Sequence, residues 1–404
     1  MNRIYSLLAL LLVGSASLQA QSDPFPDNNT VEYKYQGSMT CTSQIVMNGA
    51  ILTDAVVAVY CEDDFRGKNR IGEDPDNPNL VFLYIHGDYT ANKQYLHFKV
   101  FTQGKVFTCN PDPAIIFTFN GNVGLPSEPY IIDITPVSLA NDADNTETLT
   151  TWKDKTCDIA LTGRTLFKDG SWNTICLPFT LTASEVNEHL ENPAGLMTLS
   201  SSSFDSTTGT LTLNFSNELE NGIVAGKPYI VKWNEPDGYT VDGGLDITAP
   251  VFTSVTVSST AAATTTDGSE WVDFIGTYSS TLIYEDGAEK HNLYLGSGNN
   301  LYYPTREGYS LKACRAYFQL KNGLTAGDAR QQARAFVLNF GDDETTGIVP
   351  IDLATPHSLG ENGQWTIDNS AGAWYDMQGR RIANGQKPKA KGLYIVNGNK
   401  VVIK

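Results

Sequence analysis

Twelve turn signals punctuate this 404-residue chain and constrain it more than any other feature. Asn-Gly occurs at Asn48, Asn120, Asn221, Asn322, Asn362, Asn384 and Asn397, and Asp-Gly at Asp169, Asp237, Asp242, Asp267 and Asp286. Both residues of such a pair tolerate positive φ, which the centre of a two-residue hairpin turn demands. Short runs of β-branched and aromatic residues lie between the signals, and long helical periodicity is almost absent. The expectation is an all-β chain with two β-sandwich-like domains, followed by a small C-terminal module of hairpins or a miniature sandwich.

Residues 24–134 form the first expected domain, an immunoglobulin-like or related sandwich. VEYKYQGSM, AVVAVYC, LVFLYIHG, QYLHFKVFTQ and IIFTF have strand length and composition. In QYLHFKVFTQ, Leu96, Phe98 and Val100 face one way while Tyr95, His97, Lys99 and Phe101 face the other, which predicts one wet side. The polar run PVSLANDADNTETLTT marks 135–155 as a linker. A second β domain spans 156–341, and a second linker, 342–365, leads to the tail at 366–404. One helix is expected, over residues 182–190, because Thr182 and Glu185 have capping-box spacing and Pro193 closes the far end. The Ser/Thr-rich stretches 199–208 and 254–266 are expected as exposed loops or edge strands.

At the amino end, Asn2 and Arg3 precede an apolar run over 4–13, and small or polar residues lead to Ala20. This order predicts an export signal at 1–20. The apolar run is too short to span a bilayer, so a mature chain without a membrane-spanning helix is expected.

Charge sets the tail apart. Residues 366–404 carry a formal +5, while residues 21–365 carry -23. Such asymmetry suggests a terminal module with its own partner. Within it, Asn397-Gly398 separates LYIV from VVI, and Gly379 separates a second pair of short strands. A lone two-stranded hairpin is marginal, so the two hairpins are expected to face each other or to dock elsewhere.

The run from WYDMQGRRI through KGLYIVNGNKVVIK resembles the C-terminal sorting domain of Bacteroidota proteins exported by the type IX secretion system. The matching positions are Tyr375, Asp376, Gly379, Arg380, Lys391, Gly392, Tyr394, Asn397, Gly398 and Lys400. The resemblance implies a module read by the outer-membrane translocon and removed on release or on attachment to surface lipopolysaccharide. It also implies secretion machinery as a partner and an outer-surface or secreted location. GRTLFKDGSWNTICLPF, KPYIVKW, KACRAYFQL and VLNFGDDETTGI, in that order, resemble a recurrent β domain of Bacteroides and Prevotella surface proteins. VVAVYCEDDFRGKN, with Arg66-Gly67, resembles a strand-turn pattern of secreted Bacteroidota modules. These two resemblances imply lineage and location but no activity.

Local motifs for chemistry are lacking in the sequence. The histidines, His86, His97, His189, His291 and His357, are scattered, with no H-E-x-x-H, Cys-x-x-Cys, G-x-S-x-G or phosphate-cradling loop. No cofactor is expected. Glu62, Asp63 and Asp64, followed by Glu73, Asp74 and Asp76, could converge on calcium, with a solvated acidic loop as the alternative. The cysteines divide as Cys41, Cys61 and Cys109 in the first expected domain and Cys157, Cys176 and Cys314 in the second. An odd count in each allows one bridge per domain at most. Cys176, between Ile175 and Leu177, reads as a small buried hydrophobe.

The strongly acidic body argues against nucleic acid or anionic membrane as a partner. Aromatic residues on sheet faces could stack on sugars. The candidates are Trp233, Tyr239, Tyr302 and Tyr303, with core packing as the competing reading for each. Together these features lead to an expectation of an exported, non-enzymatic binding or adhesion protein, whose ligand is a glycan or a host protein met on the first domain. The alternatives are an extracellular hydrolase with a site assembled across the fold, or a structural component of the cell envelope.

Overall fold

The computed structural model describes residues 22–404 except 90–91, 112, 241–242, 259–260, 267–270, 285–289, 305–306, 327–331, 342–348, 351–357, 360–364, 367–373, 376–380, 383–391, 397–398 and 404. Beyond residue 341 it describes backbone alone. The fold is all-β, and the described residues include two short α-helices.

Two compact units emerge. The first takes residues up to 140 together with 145–164 and 248–259, and the second holds 141–144, 165–247 and 260 onward. The stretch expected as a linker is therefore partly structured. It carries the strand Val137–Ser138 and the helix Thr146–Trp152. Asn145, the N-cap residue of this helix, bonds both backbone groups of Ala140 through its amide and gives the helix no side-chain cap. The strand Thr156–Ala160 pairs with Val137–Ser138 and with Val251–Thr256, a partner almost a hundred residues away that no local signal announces.

In the first unit, one sheet centres on Gly37–Met47, flanked by Val81–Gly87 and Tyr130–Asp133. The other runs Asp64–Arg70, Val56–Cys61, Tyr95–Thr102, Lys105–Cys109. Their facing sides interleave Met39, Cys41, Ile45, Leu83 and Ile85 with Val57, Val59, Leu96, Phe98 and Val100 in one core, as a sandwich requires. The expected alternation of 95–102 is present. The neighbouring Val56–Cys61 strand does not alternate because both its faces are covered. Val56, Ala58 and Tyr60 pack against Phe25, Val31 and Phe65 on the far side.

The 64–70 strand also seals the outer edge of the 81–87 strand. Asn69 Nδ2 donates to the Phe82 carbonyl at 2.8 Å, and Arg66 Nη1 donates to that of His86 at 3.3 Å. Between them Gly67, at φ +143°, passes so close that a Cβ would lie 2.3 Å from the Tyr84 carbonyl oxygen. Open carbonyls on a sheet edge invite pairing with another chain, and here side chains occupy those of Phe82 and His86.

In the second unit a six-stranded sheet runs through Asn173–Ile175, Tyr229–Lys232, Gly195–Asp205, Thr210–Asn217, Ala335–Asn339 and Val349–Pro350. A five-stranded sheet contains Val272–Thr277, Arg315–Leu320 and Asn292–Leu295. Phe274 and Phe318 stack at 4.6 Å, and Phe215 from the larger sheet meets both rings edge-on. This is a second sandwich core. The expected helix forms as Ala183–His189, with Thr182 accepting from the Glu185 N–H and Glu185 returning to the Thr182 N–H.

In the tail, the hairpins Trp374–Tyr375 with Arg381–Ile382 and Gly392–Val396 with Asn399–Ile403 do not face each other. They join edge to edge through Trp374–Val396 and Tyr375–Ile395 into one four-stranded sheet. Lateral pairing satisfies backbone groups that a face-to-face arrangement would leave at two further edges. Val396 pairs with Asn399, the spacing of a two-residue connection. No helix of the described residues is long and apolar enough to cross a membrane.

Candidate binding surface

The sugar-stacking candidates of the second unit turn inward. Trp233 is 3% exposed, with its indole N–H donated to the Leu190 carbonyl at 2.7 Å. Tyr302 and Tyr303 are buried, and Lys290 sits 4.8 Å from the Tyr303 ring centre. Tyr239 is half-buried, with its hydroxyl 3.4 Å from Asp246. Core packing and loop anchoring account for all four.

The open aromatic surface lies instead on the first unit. Along Val81–Gly87 the period of two sends Val81, Leu83 and Ile85 to the core and Phe82, Tyr84 and His86 outward. Tyr84 is 57% exposed and meets His86 edge-on at 5.1 Å. Its hydroxyl accepts from Ser38 Oγ at 2.7 Å, so the ring is held from the neighbouring strand. Beside it Thr40 donates to Asn122 Oδ1 and Asn122 Nδ2 donates to the Gly124 carbonyl, so the amide is held in place next to the aromatic pair.

A second aromatic pair closes the end of this sheet. There Gly37 pairs with Gly87, and neither offers a side chain. Phe119 lies where a Gly37 Cβ would be, at 2.2 Å, and Tyr89 meets it edge-on at 6.4 Å. Tyr89 is 83% and Phe119 47% exposed.

The support beneath is a buried guanidinium. Arg66 is 7% exposed and donates through Nη1 to the His86 carbonyl and to Gln94 Oε1 at 2.8 Å. Its plane lies 4.2 Å from the Tyr35 ring centre, and Nη2 is 3.5 Å from Asp64. Tyr35 and Lys34 both donate to Asp64 at 2.5 Å. Burial resists ionisation of that carboxyl, but the hydrogen bonds from Lys34 and Tyr35 outweigh it and hold the pKa below the usual value. His86 is depressed by burial, with Glu32 opposing, so a neutral imidazole faces outward at pH 7. The surface thus joins apolar ring faces to neutral hydrogen-bonding groups.

The two acidic groups do not gather around a cation. Asp64 is committed as described, and Asp74 accepts from the Asp76 N–H and from Asn77 Nδ2 in its own turn. Glu62 lies in the turn ahead of Asp64 at φ +54°, and Asp63 and Glu73 bring no third ligand to either group. Among the described residues no set of three His, Cys, Asp or Glu side chains could hold a metal ion.

No two of the six cysteines are bonded to each other in this structure. Cys176 is fully buried, donates to the Gly226 carbonyl at 3.1 Å, and is pushed well above the ordinary thiol range by burial and then by Cys314. That is the small, buried residue its apolar sequence neighbours predict. Of the positions expected to form a sorting motif, Tyr375, Gly392, Tyr394 and Lys400 fall in the four-stranded tail sheet. Asp376, Gly379, Arg380, Lys391, Asn397 and Gly398 lie outside the described residues.

Sequence reasoning missed Tyr84, Tyr89 and Phe119. The alternation in VFLYIHG was legible, but which of its two faces would be covered depended on the second sheet. No family model and no curated protein matches the chain.

Proposed function

We propose that this chain is an exported, non-enzymatic binding protein of the cell surface that contacts a glycan through the aromatic end of its first unit, with the basic tail as its sorting module. The observation that carries this reading is the pair of exposed aromatic contacts, Tyr84–His86 and Tyr89–Phe119, flanking the side-chain-free Gly37–Gly87 pair. Pyranose rings present apolar C–H faces to aromatic rings and hydroxyls to their edges. The Ser38 and Thr40 oxygens offer lone pairs nearby, and the Tyr84 hydroxyl, which accepts from Ser38, keeps its own proton to donate. Tyr84 and His86 stand on a strand and Phe119 is wedged against Gly37, so these rings lose little side-chain freedom on binding.

A glycan array probed with the chain lacking residues 1–20, followed by calorimetry on any ligand retained, tests the binding half. Tyr84→Ala combined with Tyr89→Ala is expected to weaken binding at least tenfold while the melting temperature moves little. Binding unaffected by both substitutions would refute the assignment of this surface. The export half is tested by deleting residues 366–404 in a Bacteroidota host and fractionating. Periplasmic accumulation of folded protein is expected, and undiminished surface display would refute the sorting role.

A further inference from the structure

We propose that Cys176 and Cys314 are a disulfide pair, closed when the chain folds under oxidising conditions. The two residues are 138 positions apart, yet the Cys176 N–H donates to the Cys314 carbonyl at 3.3 Å. Bond lengths alone keep Cα atoms joined by such a contact within about 7 Å of each other, a range that overlaps the roughly 4.4–6.8 Å window of native cystines. Both side chains are buried in the second unit.

The sulfurs approach the same stretch of chain. A Cβ on Gly276 would lie 2.4 Å from Cys176 Sγ, and Cys314 Sγ is 4.0 Å from the carbonyl of Tyr278. Residues 276 and 278 are two apart along an extended strand end, so the two sulfurs lie over neighbouring positions of one run. The Tyr278 phenol is raised first by burial and then by Cys176 and by Cys314.

The division of the chain gives the pair its specificity. Sequence organisation alone assigned three cysteines to each domain, an odd count of which at most two can pair internally. The structure moves Cys157 into the first unit, within 145–164, and leaves Cys176 and Cys314 as the two cysteines of the second. Within the second unit a cystine has one choice of partners, whereas six thiols taken together allow fifteen pairings.

The chemistry is thiol–disulfide exchange with a low-molecular-weight disulfide such as oxidised glutathione. One cysteine thiolate attacks a glutathione sulfur, the glutathione S–S bond breaks, and one glutathione thiolate leaves and takes up a proton. The second cysteine thiolate then displaces the remaining glutathione. Two protein thiols are oxidised to one cystine and one glutathione disulfide is reduced to two thiols. Burial of Cys176 and its raised pKa make the folded, reduced protein a poor nucleophile, so closure belongs to folding and not to the finished sandwich.

The test uses the chain without residues 1–20, refolded in mixed reduced and oxidised glutathione, alkylated, digested without reductant and analysed by mass spectrometry. The expected product is a crosslinked peptide pair holding Cys176 and Cys314, lighter by two hydrogens than the separate peptides. Recovery of both as alkylated thiols, or crosslinking of either to another cysteine, would overturn the proposal. Closing a loop of roughly 140 residues raises the melting temperature by on the order of 10 °C over the reduced protein. A crosslink without any rise would show that the native backbone does not accept it. Cys176→Ser and Cys314→Ser are each expected to abolish the redox-dependent rise. If either fails to fold, the wild-type peptide map decides. No ligand and no export step enters, so failure here leaves the glycan reading untouched, and the reverse also holds.

Discussion

Replacing Gly67 with alanine tests how the aromatic surface is held. Gly67 has φ +143°, and its new methyl would lie 2.3 Å from the Tyr84 carbonyl oxygen, a backbone atom that cannot swing aside. Ordinary contact needs about 1 Å more, so the 64–70 strand must retreat from the 81–87 edge. That retreat strains the Asn69–Phe82 bond of 2.8 Å and the Arg66–His86 bond of 3.3 Å. Forcing a side chain into this backbone region costs about 1–3 kcal/mol. Weakening the two hydrogen bonds adds about 1 kcal/mol. The expected loss is about 2–4 kcal/mol, or a fall of roughly 5–15 °C in the melting transition of the first unit. Gly49→Ala is the control, since Gly49 also has positive φ, +75°, but nothing within 4 Å of a Cβ. It should cost about 1–2 kcal/mol through left-handed backbone strain alone. Thermal unfolding followed by fluorescence, with amide exchange read over residues 81–87, separates the two. Should Gly67→Ala melt within a degree or two of Gly49→Ala and leave exchange at 81–87 unchanged, edge sealing by the 64–70 strand would be refuted.

Asp158, buried, accepts the Thr108 N–H at 3.0 Å and the Ser254 N–H at 2.7 Å. Asp158→Asn sets an amide NH2 against one of those donors and should cost about 1–3 kcal/mol at neutral pH by urea titration. Burial raises the Asp158 pKa although both N–H groups oppose it. The folded chain therefore binds this proton more tightly than the unfolded chain. Its contribution is largest below the unfolded value and declines as pH rises through the raised one, and this part of the acid-side slope should vanish in the Asn variant. Thr182→Ala removes the N-cap acceptor of the Glu185 N–H and should destabilise the second unit by about 1 kcal/mol in chemical unfolding. Hydrogen bonds from the Thr182 backbone and side chain depress the Glu185 pKa, so its contribution is present above the unfolded value and lost as pH falls through the folded one. Glu185→Gln should flatten that acid limb in a pH series of melts. Trp233→Ala should cost about 3–5 kcal/mol and leave the proposed glycan binding at the first unit unchanged, the opposite of the Tyr84 and Tyr89 substitutions.

Much of the architecture was written locally. The turn pairs and β-branched runs determined an all-β chain. The alternation in 95–102 determined a strand with one covered face, and Thr182 with Glu185 determined a capped helix, because each depends on neighbours within a few positions. Tertiary structure decided the rest. Val56–Cys61 lost its wet side because residues 22–35 cover it, and Thr156–Ala160 joined the first unit because its partner strand is Val251–Thr256. Trp233, Tyr302 and Tyr303 went inward while Tyr84, Tyr89 and Phe119 stayed out. A period of two separates the two faces of a strand but does not say which one a second sheet will cover. Likewise, nothing within reach of Cys176 along the chain announces Cys314. Long-range pairing brings them together, and it depends on the packing of the whole unit.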